Sequence, residues 1–109
     1  MASREVAYRP RAAYDIESIV VYVGQVLGLP QAAKDWYDQL QETLDMLADL
    51  PAMGKPFDDE LLAHRDMHTF RVGQYRLFYT HDERTLTLWR VLHTRRDTDD
   101  YALMFLDSL

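Results

Sequence analysis

The apolar residues of this chain keep a helical period as far as Leu50 and a strand period from Met67 onward, and the change falls across a segment carrying Pro51, Gly54 and Pro56. That single switch groups helices and strands instead of alternating them, which is an α+β arrangement. A short extended stretch, Glu5 to Arg9, comes first. Pro10 then suits the opening turn of a helix, where its missing N–H costs nothing. Ile16, Ile19, Val20, Val23 and Leu27 recur at helical spacing, and Gly28 stands where a left-handed residue closes the helix. After Gly28-Leu29-Pro30 a second stripe, Ala33, Trp36, Tyr37, Leu40, Leu44, Leu47 and Leu50, predicts a helix of about 18 residues ending before Pro51. Two antiparallel helices follow, with Trp36 and Tyr37 in their packing.

Residues 51–66 read as a loop, with the acidic cluster Asp58, Asp59, Glu60 exposed on it. Met67 to Val72, Tyr75 to His81 and Thr85 to His93 are rich in aromatic and β-branched residues, and Gly73-Gln74 and Glu83-Arg84 separate them. This predicts a three-stranded antiparallel meander and the order β-α-α-β-β-β, a helical hairpin packed on an antiparallel sheet. The 109 residues suit one domain, 1–109, with 97–109 as a C-terminal tail that carries Tyr101, Met104 and Phe105 on one amphipathic stretch.

Two-residue turns at both hairpins would set Arg71 opposite Arg76, Arg76 opposite Val91 and Phe78 opposite Trp89. One face of the sheet then carries Arg71, Arg76, Phe78, Trp89, Val91, His93 and, if the strand continues, Arg95. The other carries Phe70, Tyr75, Leu77, Tyr79, Leu86, Leu88 and Leu92, and is expected to receive the helices. Arginines directly opposed are destabilising unless something anionic or aromatic lies between them. Guanidinium groups near an imidazole suit phosphate, although stacking on Phe78 and Trp89 or pairing with Asp82, Asp97 or the acidic loop would also explain them.

Charge excludes some functions. The net charge of −6 argues against non-specific coating of nucleic acid. Its distribution is uneven: residues 1–64 hold 5 basic and 11 acidic groups, residues 65–96 hold 7 and 3, and residues 97–109 hold none and 4. The basic segment can meet an anionic target locally. With no cysteine, disulfides, thiol nucleophiles and zinc ribbons are out, and no apolar run approaches the roughly 20 residues of a membrane span. A cytoplasmic protein is expected. His64, His68, His81 and His93 lack ligand spacing, Ser3, Ser18 and Ser108 lack a nucleophile motif, and there is no glycine-rich phosphate loop. No metal or cofactor is expected.

Several short stretches, taken in order, resemble the RelE/ParE superfamily of toxins from type II toxin–antitoxin pairs. They are Pro10 followed by Ala12 to Ile16 and Ile19 with Tyr22, "LADLPAMG" at Leu47 to Gly54, "RVGQYRLFY" at Arg71 to Tyr79, and "WRVLHTRRD" at Trp89 to Asp97. The resemblance spans about residues 5–100 and implies the same β-α-α-β-β-β fold. In RelE-like members, which are ribosome-dependent messenger-RNA endonucleases, arginines and a C-terminal tyrosine serve the chemistry. By position these match Arg76, Arg95 and Tyr101, and the chemistry itself suggests His93 for the exchangeable proton. The lysines that this branch carries before the sheet are reduced here to Lys55, followed by Phe57 and three acids. The strand ending "RVLHTRRD" and the helical pair lean towards the ParE-like branch, whose members poison DNA gyrase without being nucleases. That reading implies inhibition of gyrase and of growth, with Arg71, Arg95 and Arg96 as target contacts and no enzymatic activity. The alternatives are the endonuclease, with ribosome and messenger RNA as partners, and a non-toxic binding module of the same fold. All three imply a cognate antitoxin, in a heterotetramer or larger complex.

Overall fold

The computed structural model describes residues 3–57 and 66–95. Asp58 to Glu60, His64, Arg96, Asp97 and Tyr101 therefore lie outside the described residues. The elements run β1 (Glu5–Tyr8), α1 (Pro10–Val21), a π-helical turn (Tyr22–Val26), α2 (Pro30–Asp49), a 3-10 turn (Pro51–Met53), β2 (Lys55–Pro56), β3 (His68–Val72), β4 (Tyr75–His81) and β5 (Thr85–His93). They form an α+β fold with one five-stranded sheet in the order β1-β5-β4-β3-β2. β1 is parallel to β5, and the other neighbours are antiparallel. No helix among the described residues is long and apolar enough to cross a membrane.

The three strands of the predicted meander form the centre of this sheet. The addition is at the edges. Glu5–Tyr8 lies along Thr85–Leu88, and Lys55–Pro56, expected as loop, pairs with His68 and Thr69. The cause is the unfilled outer edge of β3, which offers partners to backbone groups that would otherwise have none; Phe57 N–H continues the pairing to Met67 O at 2.8 Å. Both edge strands are short and one contains a proline, which discourages pairing with another chain.

α1 starts at Pro10 as the sequence requires, and Gly28 takes the left-handed conformation at φ +70°. Between them the helix widens. Leu27 N–H reaches back five residues to Tyr22 O (2.9 Å), and the wider turn moves Leu27 out of the apolar stripe to 49% exposure. In α2, Ala33, Leu40, Leu44 and Leu47 are buried, whereas Tyr37 and Leu50 are 42% and 57% exposed in spite of their place in the predicted stripe. Leu50 leaves it because the helix ends at Asp49. Trp36 is half-buried at the end of the sheet, where its indole N–H donates to Val72 O (3.3 Å) and its ring meets Tyr75 edge-on at 5.3 Å. The main core joins Ala12, Ile16 and Ile19 of α1 and Leu40, Leu44 and Leu47 of α2 to Val72, Leu77, Tyr79, Leu86, Leu88 and Val91 of the sheet.

The passage from α2 into the sheet depends on Tyr79. Its hydroxyl, fully buried, donates to Pro51 O (2.5 Å) and accepts from Gly54 N–H (3.1 Å), so one side chain of β4 satisfies both ends of the 3-10 turn. Burial raises the Tyr79 pKa, with the Gly54 N–H acting in the opposite direction. Gly54 has no room for a side chain: a Cβ there would collide with the Tyr79 hydroxyl and stand 2.7 Å from Thr69 O. This explains "LPAMG" as a packed turn. Gly54→Ala is expected to cost at least the ~1–3 kcal/mol of an overpacked site. Tyr79→Phe, which strands a buried carbonyl and a buried N–H, should cost about 2 kcal/mol. Urea denaturation measures both, and wild-type midpoints would show that the turn does not depend on them.

Candidate target-binding surfaces

The surface of the sheet is decided by one extra residue. Gly73, at φ +60°, occupies the first central position of a two-residue turn and sets Arg71 directly opposite Arg76, as predicted. The β4–β5 hairpin also begins in the predicted register, with Tyr79 opposite Leu88. Between Phe78 and Tyr79 the register slips by one, because Trp89 is inserted as a β-bulge. Arg76 therefore faces Leu92 rather than Val91, and Phe78 faces Arg90 rather than Trp89. Val91 joins the helix-covered core and Leu92 leaves it, the reverse of the predicted assignment. The bulge is held by the Trp89 indole N–H, which donates to Thr80 Oγ1 at 2.9 Å, and by the Arg9 guanidinium 4.9 Å from the ring centre.

The slip parts the predicted cluster. His93 pairs with Tyr75 on the helix side, their rings 5.3 Å apart, whereas Arg71 and Arg76 stay on the far face. β5 ends at His93; Arg95 is exposed beyond it, and its backbone N–H donates to His93 Nδ1 (3.1 Å). Arg96 and Tyr101 lie outside the described residues. The far face is not simply open, because Met67, Phe78 and Leu92 form a second small core there with Phe57 and Trp89 against them. Beside it, Lys55, Arg71 and Arg76 line a groove of about 560 Å³ with Met53, Phe57 and Phe70. Arg71 Nε donates to Gly73 O at 2.8 Å. Arg76 is half-buried, and among the described residues its side chain makes no ion pair or hydrogen bond.

Two further features were not read from the sequence. Asp15 of α1 binds Arg90 with both carboxylate oxygens (2.7 Å to Nε, 2.9 Å to Nη2), and it also accepts from Val91 N–H at 3.0 Å. Arg90 is only 4% exposed, so the pair is buried and bidentate. It lies where β1 has ended, and α1 thus completes the hydrogen bonding of β5. The available signal was the break in alternation after Leu88, where Trp89-Arg90-Val91-Leu92 follows Thr85-Leu86-Thr87-Leu88. The second feature is an apolar groove of about 520 Å³ between α1 and α2, lined by Tyr8, Ile16, Val20, Val21 and Tyr37 with Glu17 and Gln41 at its polar margin. Asp38, Glu42 and Asp45 are exposed along the same α2.

The histidines at the other end of the sheet form a pair: His68 stacks on Tyr79 at 5.7 Å and lies 5.6 Å from His81. Burial, then the neighbouring His68 and Arg4, lower the His81 pKa from its ordinary 6.5. Asp82 carries a depressed pKa because its carboxylate accepts from the N–H groups of Arg84 and Thr85 in the hairpin turn.

The chain thus runs β-α-α-β-β-β-β, with a cation-lined groove on one face of the sheet and an apolar groove between its helices. Its fold is similar to a chain of the chromosomal ParDE toxin–antitoxin system from Pseudomonas aeruginosa (P. aeruginosa), with a TM-score of 0.66 at 15% identity over 84% of this chain and 96% of that one. It is also similar to a chain of the RelBE2 toxin–antitoxin complex from Mycobacterium tuberculosis, with a TM-score of 0.59 at 23% identity over 84% and 99%. At the level of sequence, the family described as ParE toxin of type II toxin-antitoxin system, parDE, matches residues 6–98. Toxin ParE1 of Caulobacter vibrioides is 35% identical over 83 residues, which cover 76% of this chain and 81% of that toxin. The chain belongs to the ParE toxin family of type II toxin–antitoxin systems.

Asp15→Ala leaves a buried guanidinium unpaired and should cost about 3–5 kcal/mol, much of it recovered when Arg90→Met is added. An unaltered urea midpoint for Asp15→Ala would remove the pair from its role at β5. For His81 the unfolded chain takes up a proton at a higher pH than the folded one, so stability is fullest above pH 6.5 and falls as acid is added. Thermal melts of His81→Gln between about pH 7 and about pH 5 should show a flatter decline than wild type. Equal slopes would contradict the shift.

Proposed function

We propose that this ParE family member acts on DNA gyrase in the cytoplasm without cutting nucleic acid itself, and that a cognate antitoxin holds it inactive. Family membership supports the toxin role. The choice against nuclease chemistry is carried by the bulge at Trp89. Attack of a ribose 2′-OH on its phosphate needs a proton acceptor, a proton donor and positive charge around one phosphoryl group. Here the His93 imidazole and the Arg76 guanidinium belong to opposite faces of the sheet. The cationic groove of Lys55, Arg71 and Arg76, with Arg95 and Arg96 beyond β5, is the surface assigned to the target. It is also what favours the second reading, an RNA-cleaving toxin using Arg76, Arg95 and Tyr101.

The antitoxin is assigned to the groove between α1 and α2. A partner helix laying an apolar stripe along Tyr8, Val21 and Tyr37 would meet Glu17, Asp38 and Glu42 with its flanks, so lysine or arginine is expected there. Induction of the chain in cells separates the readings. The expected result is trapped gyrase–DNA cleavage complexes with transcripts intact, and trapping that survives His93→Ala. Transcripts cut at ribosome-bound codons, with cutting lost in Arg76→Ala, would overturn the proposal in favour of the endonuclease.

A further inference from the structure

We infer that His68 and His81 form a binding site for a divalent metal ion of the zinc and copper class, at the end of the β3–β4 hairpin away from its turn. The hairpin register makes the pair. His68 stands directly opposite Tyr79, and His81, two residues further along β4, shares that face because side chains alternate along a strand. The two ring centres are 5.6 Å apart, with the planes inclined at 55°. A zinc–imidazole bond is about 2.0–2.1 Å, so a shared ion stands roughly 3.2 Å from each ring centre, and tetrahedral geometry separates the two centres by about 5.2 Å. The observed spacing is close to that value.

One ring is already oriented for the task. His68 Nδ1 lies 3.0 Å from the carbonyl oxygen of Asp66, which can only accept, so this nitrogen carries the proton and Nε2 keeps its lone pair for a ligand. A hydrogen bond from the other ring nitrogen to a carbonyl is the common support of a ligating histidine. Stacking on Tyr79 at 5.7 Å further limits rotation of the His68 ring. Around His81, Asp66 and Asp82 favour a cation and Arg4 opposes it. The Arg4 guanidinium, however, is engaged by the carbonyls of Asp82 and Ala48. Among the described residues no group of three His, Asp or Glu side chains is placed to hold a metal, so the protein supplies two nitrogens and water fills the other positions. Neutral imidazole selects zinc, copper or nickel over magnesium or calcium. The site is separate from the function proposed above, since neither histidine is among the described residues lining the two grooves.

Zinc chloride titrated into the full-length protein at about pH 7.5, above the ordinary histidine pKa, tests the assignment by NMR of the imidazole nitrogens. His68 Nε2 and one nitrogen of His81 should shift together on binding a single ion, while His68 Nδ1 keeps its proton. Because the pair exists only in the folded hairpin, zinc should also raise the thermal midpoint. His68→Gln and His81→Gln should each weaken zinc binding at least about tenfold, and His93→Gln should leave it unchanged. Magnesium chloride should move neither ring. No shift at millimolar zinc, shifts centred on His64 or His93 instead, or binding that persists when His68→Gln and His81→Gln are combined would overturn the inference. The nitrogen shifts are read on the unaltered chain, so they decide the matter even where a glutamine variant fails to fold.

Discussion

Asp15 takes over the hydrogen bonding of β5 at the point where β1 runs out, and the two surfaces of the protein follow from that substitution of a side chain for a strand. Its carboxylate accepts from Val91 N–H and holds Arg90 in two bonds, so α1 is tied to the sheet by a buried charge pair as well as by Ile16 and Ile19. A buried pair of this kind adds little net stability compared with apolar packing, but it is unforgiving of misplacement. It selects the register in which Trp89 is the extra residue. With Trp89 bonded to Thr80 and covered by Arg9, the strand beyond turns over, burying Val91 under the helices and placing His93 beside Tyr75.

The result is a molecule whose two broad faces differ in charge. The helical hairpin presents an apolar groove among carboxylates, while the far side of the sheet presents a groove lined by three cations. The net charge of −6 hides this division. Separate surfaces of opposite sign allow a basic amphipathic partner and an anionic partner to be distinguished by steering as well as by fit. The turn between them, built on Pro51, Gly54 and the Tyr79 hydroxyl, carries the chain from one surface to the other: α2 ends on its helical side and Lys55 emerges on the cationic side.

Much of the fold was legible in the chain. The helical stripes around Ile16, Ile19, Leu40, Leu44 and Leu47, the breaks at Pro10, Gly28 and Pro51, and the bounds of β4 and β5 all follow from local period and turn chemistry, which act between residues close in sequence. The opposition of Arg71 and Arg76 follows from the turn at Gly73 for the same reason. What the sequence could not determine was how far that hairpin logic extends. A bulge satisfies no local rule. It is stabilised by Thr80 across the hairpin and by Arg9 and Asp15, which reach Trp89 and Arg90 only after the helices have packed and β1 has paired with β5. Which side chains share a face with Arg76 was therefore decided by tertiary contacts, because in a strand one inserted residue reverses every side chain beyond it.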